Sequence, residues 1–484
     1  MSDTLTKLVT ENDRHLLVPY TSADQVADFP VGESSGLAAI LEELADKPGQ
    51  SLYLFRANGR RIYFLNLGEQ PEPGAVLLAA RRLVHQRRPQ LKPGLGLIWL
   101  PGISVQMAEE LAAGLVVANY QIGRFKGEEA TKPVRVEMEH LELDSDPAEL
   151  QHYIRRGRMM GETQARIMQL VDAPANKKHP RVLADWAEES GKKYGYQVTV
   201  MEKEELVEKG MHALLAVNRG SEEPPVMIVM EYRGTGARHN GPVALVGKGV
   251  TFDTGGLSIK GSKNLHLMKS DMGGAAAVLG AMELAARLEL PVHLVGIVPS
   301  TDNSVDANAI KPSDVIESYS GKTIEIIDTD AEGRLILADG LSYAIRNFKP
   351  HTLIDLATLT GSAVRTFGYA AGALMTTNEK LANSLYRAGV GSGEKLWRLP
   401  LWDVFKSELH SDVADLANLG SLPVAGAITA GKFLEAFTED HPRFAHLDIA
   451  GTAMTANEFA TGRSATGFGP RLLVRFLEEE MIKA

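Results

Sequence analysis

The chain has 484 residues, with 44% hydrophobic and 23% charged residues, a formal net charge of -10 and no cysteine. That is ordinary globular usage with material for two or three domains, and disorder is not expected. The acidic balance gives no reason to expect general nucleic-acid binding, and the missing cysteines exclude disulfides and thiolate metal sites.

The first residues, MSDTLTKLVTENDRHLLVPY, show no basic stretch followed by an apolar one, so no signal peptide is expected. No apolar run approaches the roughly 18 residues of a membrane span. The expectation is a cytoplasmic protein. Two strands, Leu52 to Arg56 and Arg61 to Leu65, flank Asn58-Gly59, a hairpin signal. A helix follows from Gly74 to Arg88, then a strand from Leu95 to Leu100 and a helix from Gln106 to Tyr120. Arg81, Arg82, Arg87, Arg88 and Lys92 form a basic cluster, read as a solvated helix face and loop rather than a nucleic-acid site. Residues 1–145 thus read as a small α/β domain with no catalytic constellation. A long helix is expected from Asp144 to Leu170, opening at the Asp146-Pro147 cap signal and broken by VDAPANKKHP. Residues 146–180 are taken as a linker helix and loop, and 181–484 as a second, larger α/β domain. Its strand candidates are Tyr196 to Val200, Pro225 to Met230, Val243 to Val246, Val292 to Val298, Thr352 to Leu356 and His446 to Ile449, with helices between them, including Ala275 to Leu288. Strands without polar alternation are buried on both faces, which predicts a mixed, mainly parallel sheet flanked by helices.

Three loops carry the chemistry. The first is GKGVTFDTGGLSIK, with Lys248, Asp253 and Lys260; the second is LMKSDMGGAAA, with Asp271; the third is DTDAEGRL, with Asp328, Asp330, Glu332 and Arg334. Loops at strand C-termini are where open α/β sheets place their sites. Glycines beside the carboxylates permit sharp turns and close approach. Asp253, Asp271, Asp330 and Glu332 could converge only around cations, and two divalent ions would polarise both water and a substrate oxygen. Read singly, each Asp or Lys here is more often a surface group or a helix cap than a ligand. Asp253-Thr254-Gly255 is not an aspartic-protease triplet, because no second copy supplies the paired carboxylate.

In order, LVDAPANKKHP, VGKGVTFDTGGLSIK, MKSDMGGAAAV, KPSDVI, TDAEGRL, DLATLTG and AHLDIAGTA resemble the leucyl aminopeptidase (cytosol aminopeptidase) family over roughly residues 165 to 484. The resemblance implies a metal-dependent hydrolase: an exopeptidase releasing N-terminal leucine and other apolar residues, a metalloprotease with two metal ions per subunit. Zinc and manganese are the expected metals, with magnesium or cobalt as alternatives. It implies that Asp253 and Glu332 bridge the metals, that Lys248 and Asp271 complete one site, and that Asp330 completes the other. Lys260 would stabilise the oxyanion. Arg334 would hold a bicarbonate acting as general base. Thr358, Leu359 and Gly361 would contact the peptide, and Met268, Ala450 and Met454 would line an apolar pocket for the first side chain. A homohexamer is implied, without membrane partners. Some relatives bind DNA, so a secondary DNA-binding role is the rival reading. One departure stands out: Asp328 occupies a position where the family usually has Asn.

Overall fold

The computed structural model describes residues 9, 13–31, 35–122, 125, 136–141, 147–237 and 241–483. The contacts divide into two compact units, Met1–Ala165 and Arg166–Ala484. The boundary falls inside the helix Pro147–Asp172. The expected cap residues Asp144 to Asp146 lie outside the described residues.

The first unit is built on a five-stranded sheet. Its strands are β1 (His15–Tyr20), β2 (Ser51–Phe55), β3 (Arg61–Asn66), β4 (Leu95–Ile98) and β5 (Val136–Leu141), in the spatial order β2-β3-β1-β4-β5. The hairpin β2–β3 is antiparallel, with Gly59 at φ 76° in its turn; glycine takes that left-handed conformation without a Cβ penalty. The sheet and the helices Pro73–Arg87 and Gln106–Val117 enclose one apolar core around Tyr63, Phe64 and Trp99. Arg81 departs from the solvated face expected of its cluster, because it is buried, and Arg88 donates to the carbonyl of Ala118.

The second unit is organised by a nine-stranded sheet. Its strands are β6 (Gln197–Met201), β7 (Val226–Arg233), β8 (Val243–Gly247), β9 (Gly249–Asp253), β10 (His293–Asn303), β13 (Thr352–Ala357), β14 (Gly372–Met375), β15 (Leu396–Leu399) and β17 (Phe444–Asp448). The order is β15-β14-β17-β13-β8-β10-β7-β6, with β9 pairing β10 off that path. The centre, β17-β13-β8-β10, is parallel, while β14 pairs β17 and β7 pairs β10 antiparallel. Every residue of β8, β13 and β17 is buried, as a sheet covered on both faces requires. Helices Gly273–Arg287 and Gly333–Phe348 both pack on β8 and β10. The short strands β11 (Val315–Glu317), β12 (Thr323–Glu325) and β16 (Leu416–Ala417) form a separate small sheet. The third loop therefore leaves this small sheet, not the main one. Among the described residues, no helix is long and apolar enough to cross a membrane.

Candidate active site

Central parallel strands end together, so the loops that follow them meet at one edge of the sheet. Lys248 directly follows β8, Asp253 ends β9, and Thr358 follows β13. Asp271 precedes the helix Gly273–Arg287, and Glu332 precedes the helix Gly333–Phe348. These loops enclose a cavity of about 690 Å³. Its wall includes Lys248, Asp253, Lys260, Met268, Asp271, Asp330, Glu332, Arg334, Thr358, Leu359, Gly361, Ala450 and Met454. All the site residues singled out in the sequence are thus brought to one place.

Close backbone approach sets the geometry. Gly274 could carry no side chain, since a Cβ would lie 2.0 Å from the carbonyl oxygen of Leu356. That contact lets the amide of Lys248 donate to Leu356 and the amide of Ala275 donate to the carbonyl of Lys248. Lys248 Nζ then sits 2.7 Å from Asp271 Oδ2, 2.8 Å from Glu332 Oε1 and 3.2 Å from the carbonyl of Thr358. Despite those distances, Asp271 Oδ2 and Glu332 Oε1 lack a well-directed hydrogen bond. On the other side, Lys260 Nζ lies 2.8 Å from Asp253 Oδ2 and also pairs with Asp330 Oδ1. Carboxylate oxygens of Asp253, Asp330 and Glu332 lie within 4.8 Å of one another.

So many carboxyl groups in so little water perturb one another. Burial, reinforced by Glu332 and Asp253, lifts Asp271 well above the usual carboxylate range despite Lys248. Burial and Asp253 push Asp330 up to about 7 against the opposing pull of Lys260. Burial by itself would lower both lysines, but the surrounding carboxylates outweigh it and raise Lys248 and Lys260 above their ordinary value. The two ammonium groups stand where positive charge is needed to hold the carboxylates together. Convergent, poorly satisfied buried oxygens fit divalent cations, which take oxygen ligands from several carboxylates at once. Arg334 is buried too; its Nη1 donates to the carbonyl of Asn418 at 2.7 Å, its Nε has no hydrogen-bond partner, and burial lowers it to about 10.

The supporting residues were not evident from the sequence. Asn303 donates 2.9 Å to Asp253 Oδ1 and 3.1 Å to the carbonyl of Thr329, tying the first loop to the third. Asn418 accepts from the amides of Ile327 and Asp328 and donates to the carbonyl of Asp328. Asp448 accepts from the amides of Leu359 and Ala450 and from the Thr360 hydroxyl, ordering the strip expected to contact the peptide. Lys178, fully buried, donates to the carbonyls of Leu170, Val171 and Lys269 and so anchors the turn Leu265–Ser270 that carries Met268. Asp448 and Lys178 lay inside quoted motifs, but only contacts distant in sequence reveal their work.

Residues 165–474 match the catalytic-domain model of the cytosol aminopeptidase family. The chain belongs to the cytosol aminopeptidase family. It is 41% identical over 497 residues to a probable cytosol aminopeptidase of Chlorobium luteolum, covering 96% of both chains. A second such protein, from Syntrophotalea carbinolica, is 44% identical, covering 90% of this chain and 89% of that one. Among solved structures, a tomato leucine aminopeptidase mutant is 31% identical with a TM-score of 0.85, covering 97% of this chain and 94% of that one. The bottromycin maturation enzyme BotP in complex with Mn is also 31% identical, with a TM-score of 0.84 and coverage of 97% and 100%. The chain is a metallo-aminopeptidase, a hydrolase dependent on divalent metal.

Proposed function

We propose that the enzyme removes leucine and other apolar residues from the N-termini of peptides at a two-metal centre in this cavity. The convergence of Asp253, Asp330 and Glu332 within 4.8 Å carries the reading. In it, Asp253 and Glu332 would hold both ions, Lys248 and Asp271 would complete one site, with Lys248 as the neutral amine because a neighbouring dication disfavours the ammonium that the carboxylates alone favour, and Asp330 would complete the other. Zinc and manganese are the expected occupants; the Mn complex of BotP supports manganese. Bound there, two divalent cations supply Lewis acidity, polarising the scissile carbonyl and making water nucleophilic at neutral pH.

The chain's own groups supply the rest. Lys260 holds its proton among carboxylates and donates to the oxyanion that develops as the carbonyl becomes tetrahedral. Arg334 cannot act as a base, since guanidinium keeps its proton. Its unpartnered Nε suits a planar anion, and bicarbonate held there would provide the base that no side chain supplies. The strip Thr358 to Gly361, fixed by Asp448, orients the peptide backbone. Met268, Ala450 and Met454 receive the first side chain; methionine adapts to varied apolar shapes, which suits a leucine-like but broad preference. A homohexamer working in the cytoplasm on short peptides completes the proposal.

The test is leucine p-nitroanilide hydrolysis after metal stripping, followed by separate addition of zinc, manganese, cobalt and magnesium, with ion binding followed by calorimetry. Loss on stripping and recovery with at least one ion is expected. Full activity in a metal-free preparation would refute the metal mechanism.

A further inference from the structure

The cavity has a second set of cations that the metal chemistry does not use. Lys248, Asp253, Asp271, Glu332 and Arg334 are buried, marking the inner end. Lys263 and Arg365 line the same cavity but are exposed, and Arg463 is half-buried. Among the described residues, Lys263 and Arg365 have no carboxylate partner. The Arg463 guanidinium donates to the Tyr369 hydroxyl and stacks 4.6 Å from that ring's centroid, which orients it without neutralising it. Arg365 also reaches inward: a Cβ on Gly361 would meet its Nη1 at 3.5 Å. Its charge therefore lies against the strip proposed to hold the peptide backbone. In a chain of net charge -10, six cationic side chains against five acidic ones line this cavity, and among the described residues Lys263, Arg365 and Arg463 have no acidic partner to offset them.

We propose that Lys263, Arg365 and Arg463 form a carboxylate subsite that receives a negative group on the C-terminal side of the scissile bond. This rests on the peptidase reading above and adds a substrate class to it: short peptides carrying a carboxylate one or two residues beyond the cleaved bond. A sphere of 690 Å³ is about 11 Å across, and an extended tripeptide spans roughly 10 Å. A dipeptide or tripeptide with its N-terminal residue at the inner end, where the proposed metal centre lies, thus brings its carboxylate within reach of these exposed cations. The carboxylate has two sources, the peptide's own C-terminus or an acidic side chain. Partly exposed ion pairs are modest, so each cation contributes about 1.5- to fivefold in kcat/KM, felt mainly in KM and reduced as salt screens it.

The experiment compares kcat/KM for Leu-Gly, Leu-Gly-amide and Leu-Asp-amide on the metal-loaded enzyme, at low and high salt. The same ratios are taken for R365Q and for the triple variant K263Q/R365Q/R463Q. Ratios within one preparation do not depend on how much of it is folded. The expected result is a preference for Leu-Gly over its amide of about tenfold, weaker in salt and reduced toward one in the triple variant. A preference shown only by Leu-Asp-amide, and lost in the same variant, supports the subsite with a side-chain carboxylate as its ligand. Equal cleavage of all three by the parent, or a preference untouched by the triple substitution, overturns it. No cleavage of any of the three overturns the peptidase reading, and the subsite with it.

Discussion

Gly333 offers the most direct test of how the inner end of the site is held. It opens the helix Gly333–Phe348, and a Cβ there would meet Lys248 Cε at 2.4 Å, Nζ at 2.6 Å and Cδ at 2.8 Å. In Gly333→Ala, bringing the nearest contact to an ordinary 3.4 Å asks Lys248 to move by about 1 Å. A surface lysine would swing aside at no cost. Lys248 cannot, because it is buried and its Nζ is enclosed by Asp271, Glu332 and the Thr358 carbonyl. Overpacking of this kind costs about 1–3 kcal/mol of stability, leaving the fold intact. The displaced Nζ matters more, since misplacing a group at a reacting centre by about 1 Å costs on the order of 10²-fold. We expect kcat/KM for leucine p-nitroanilide to fall by about that factor, with weakened binding of one metal in calorimetric titration. The fold would be checked by circular dichroism and melting temperature at fixed protomer concentration. Activity within threefold of the parent, in a folded protein, would refute the claim that Lys248 is fixed in position by its lack of room.

Three further outcomes are expected. Lys178→Met leaves the carbonyls of Leu170, Val171 and Lys269 without their buried donor; offset by the removal of a costly buried amine, the loss is about 2–4 kcal/mol, read as a lower urea midpoint, and a midpoint equal to the parent's would contradict the anchoring role. Asp328→Asn keeps the oxygen that accepts from the Asp330 amide at 2.8 Å, so stability should change by less than about 0.5 kcal/mol, whereas Asp328→Ala, which loses that acceptor, should be worse by about 1 kcal/mol; equal melting of the two variants would refute this. Asp339 accepts from the amides of Leu214 and Tyr319, and burial pushes it up to about 7 against those bonds. Its folded-state value lies above the unfolded one of about 3.9. The native state therefore binds more protons between those values, and this residue's contribution to stability falls as pH rises through that window. In Asp339→Asn that component of the slope disappears; urea unfolding from pH 4.5 to 7.5 showing parallel curves for parent and variant would count against it.

Much of the catalytic unit was legible because its strands are buried on both faces and read as unbroken apolar runs: β8, β13 and β17 stand near their expected positions. The short strands β14 and β15 escaped notice, since four residues give little periodicity to read. β9 was hidden for another reason. It is a strand that runs into the first of the three loops, and its sequence GVTFD reads first as part of that loop. The acidic cluster was visible as composition beside glycines, yet its closeness was not. Asp253 and Glu332 come within reach of each other where Asn303 ties Asp253 to the Thr329 carbonyl and the Thr329 hydroxyl donates to the carbonyl of Gly255, contacts that local spacing does not encode.

The supporting shell shows why residue type alone is a poor guide to role here. Asp448 and Asp253 both end strands of the same sheet. Asp448 is satisfied by two amides and a hydroxyl, so its charge is spent on ordering backbone. Asp253 presents Oδ1 to the Gly255 amide and Asn303, and turns Oδ2 toward Lys260 in the cavity. One oxygen fixes the side chain and the other faces the cavity. That division of one carboxylate into an anchored and a presented oxygen distinguishes the two aspartates, and a buried group needs the first to make the second available.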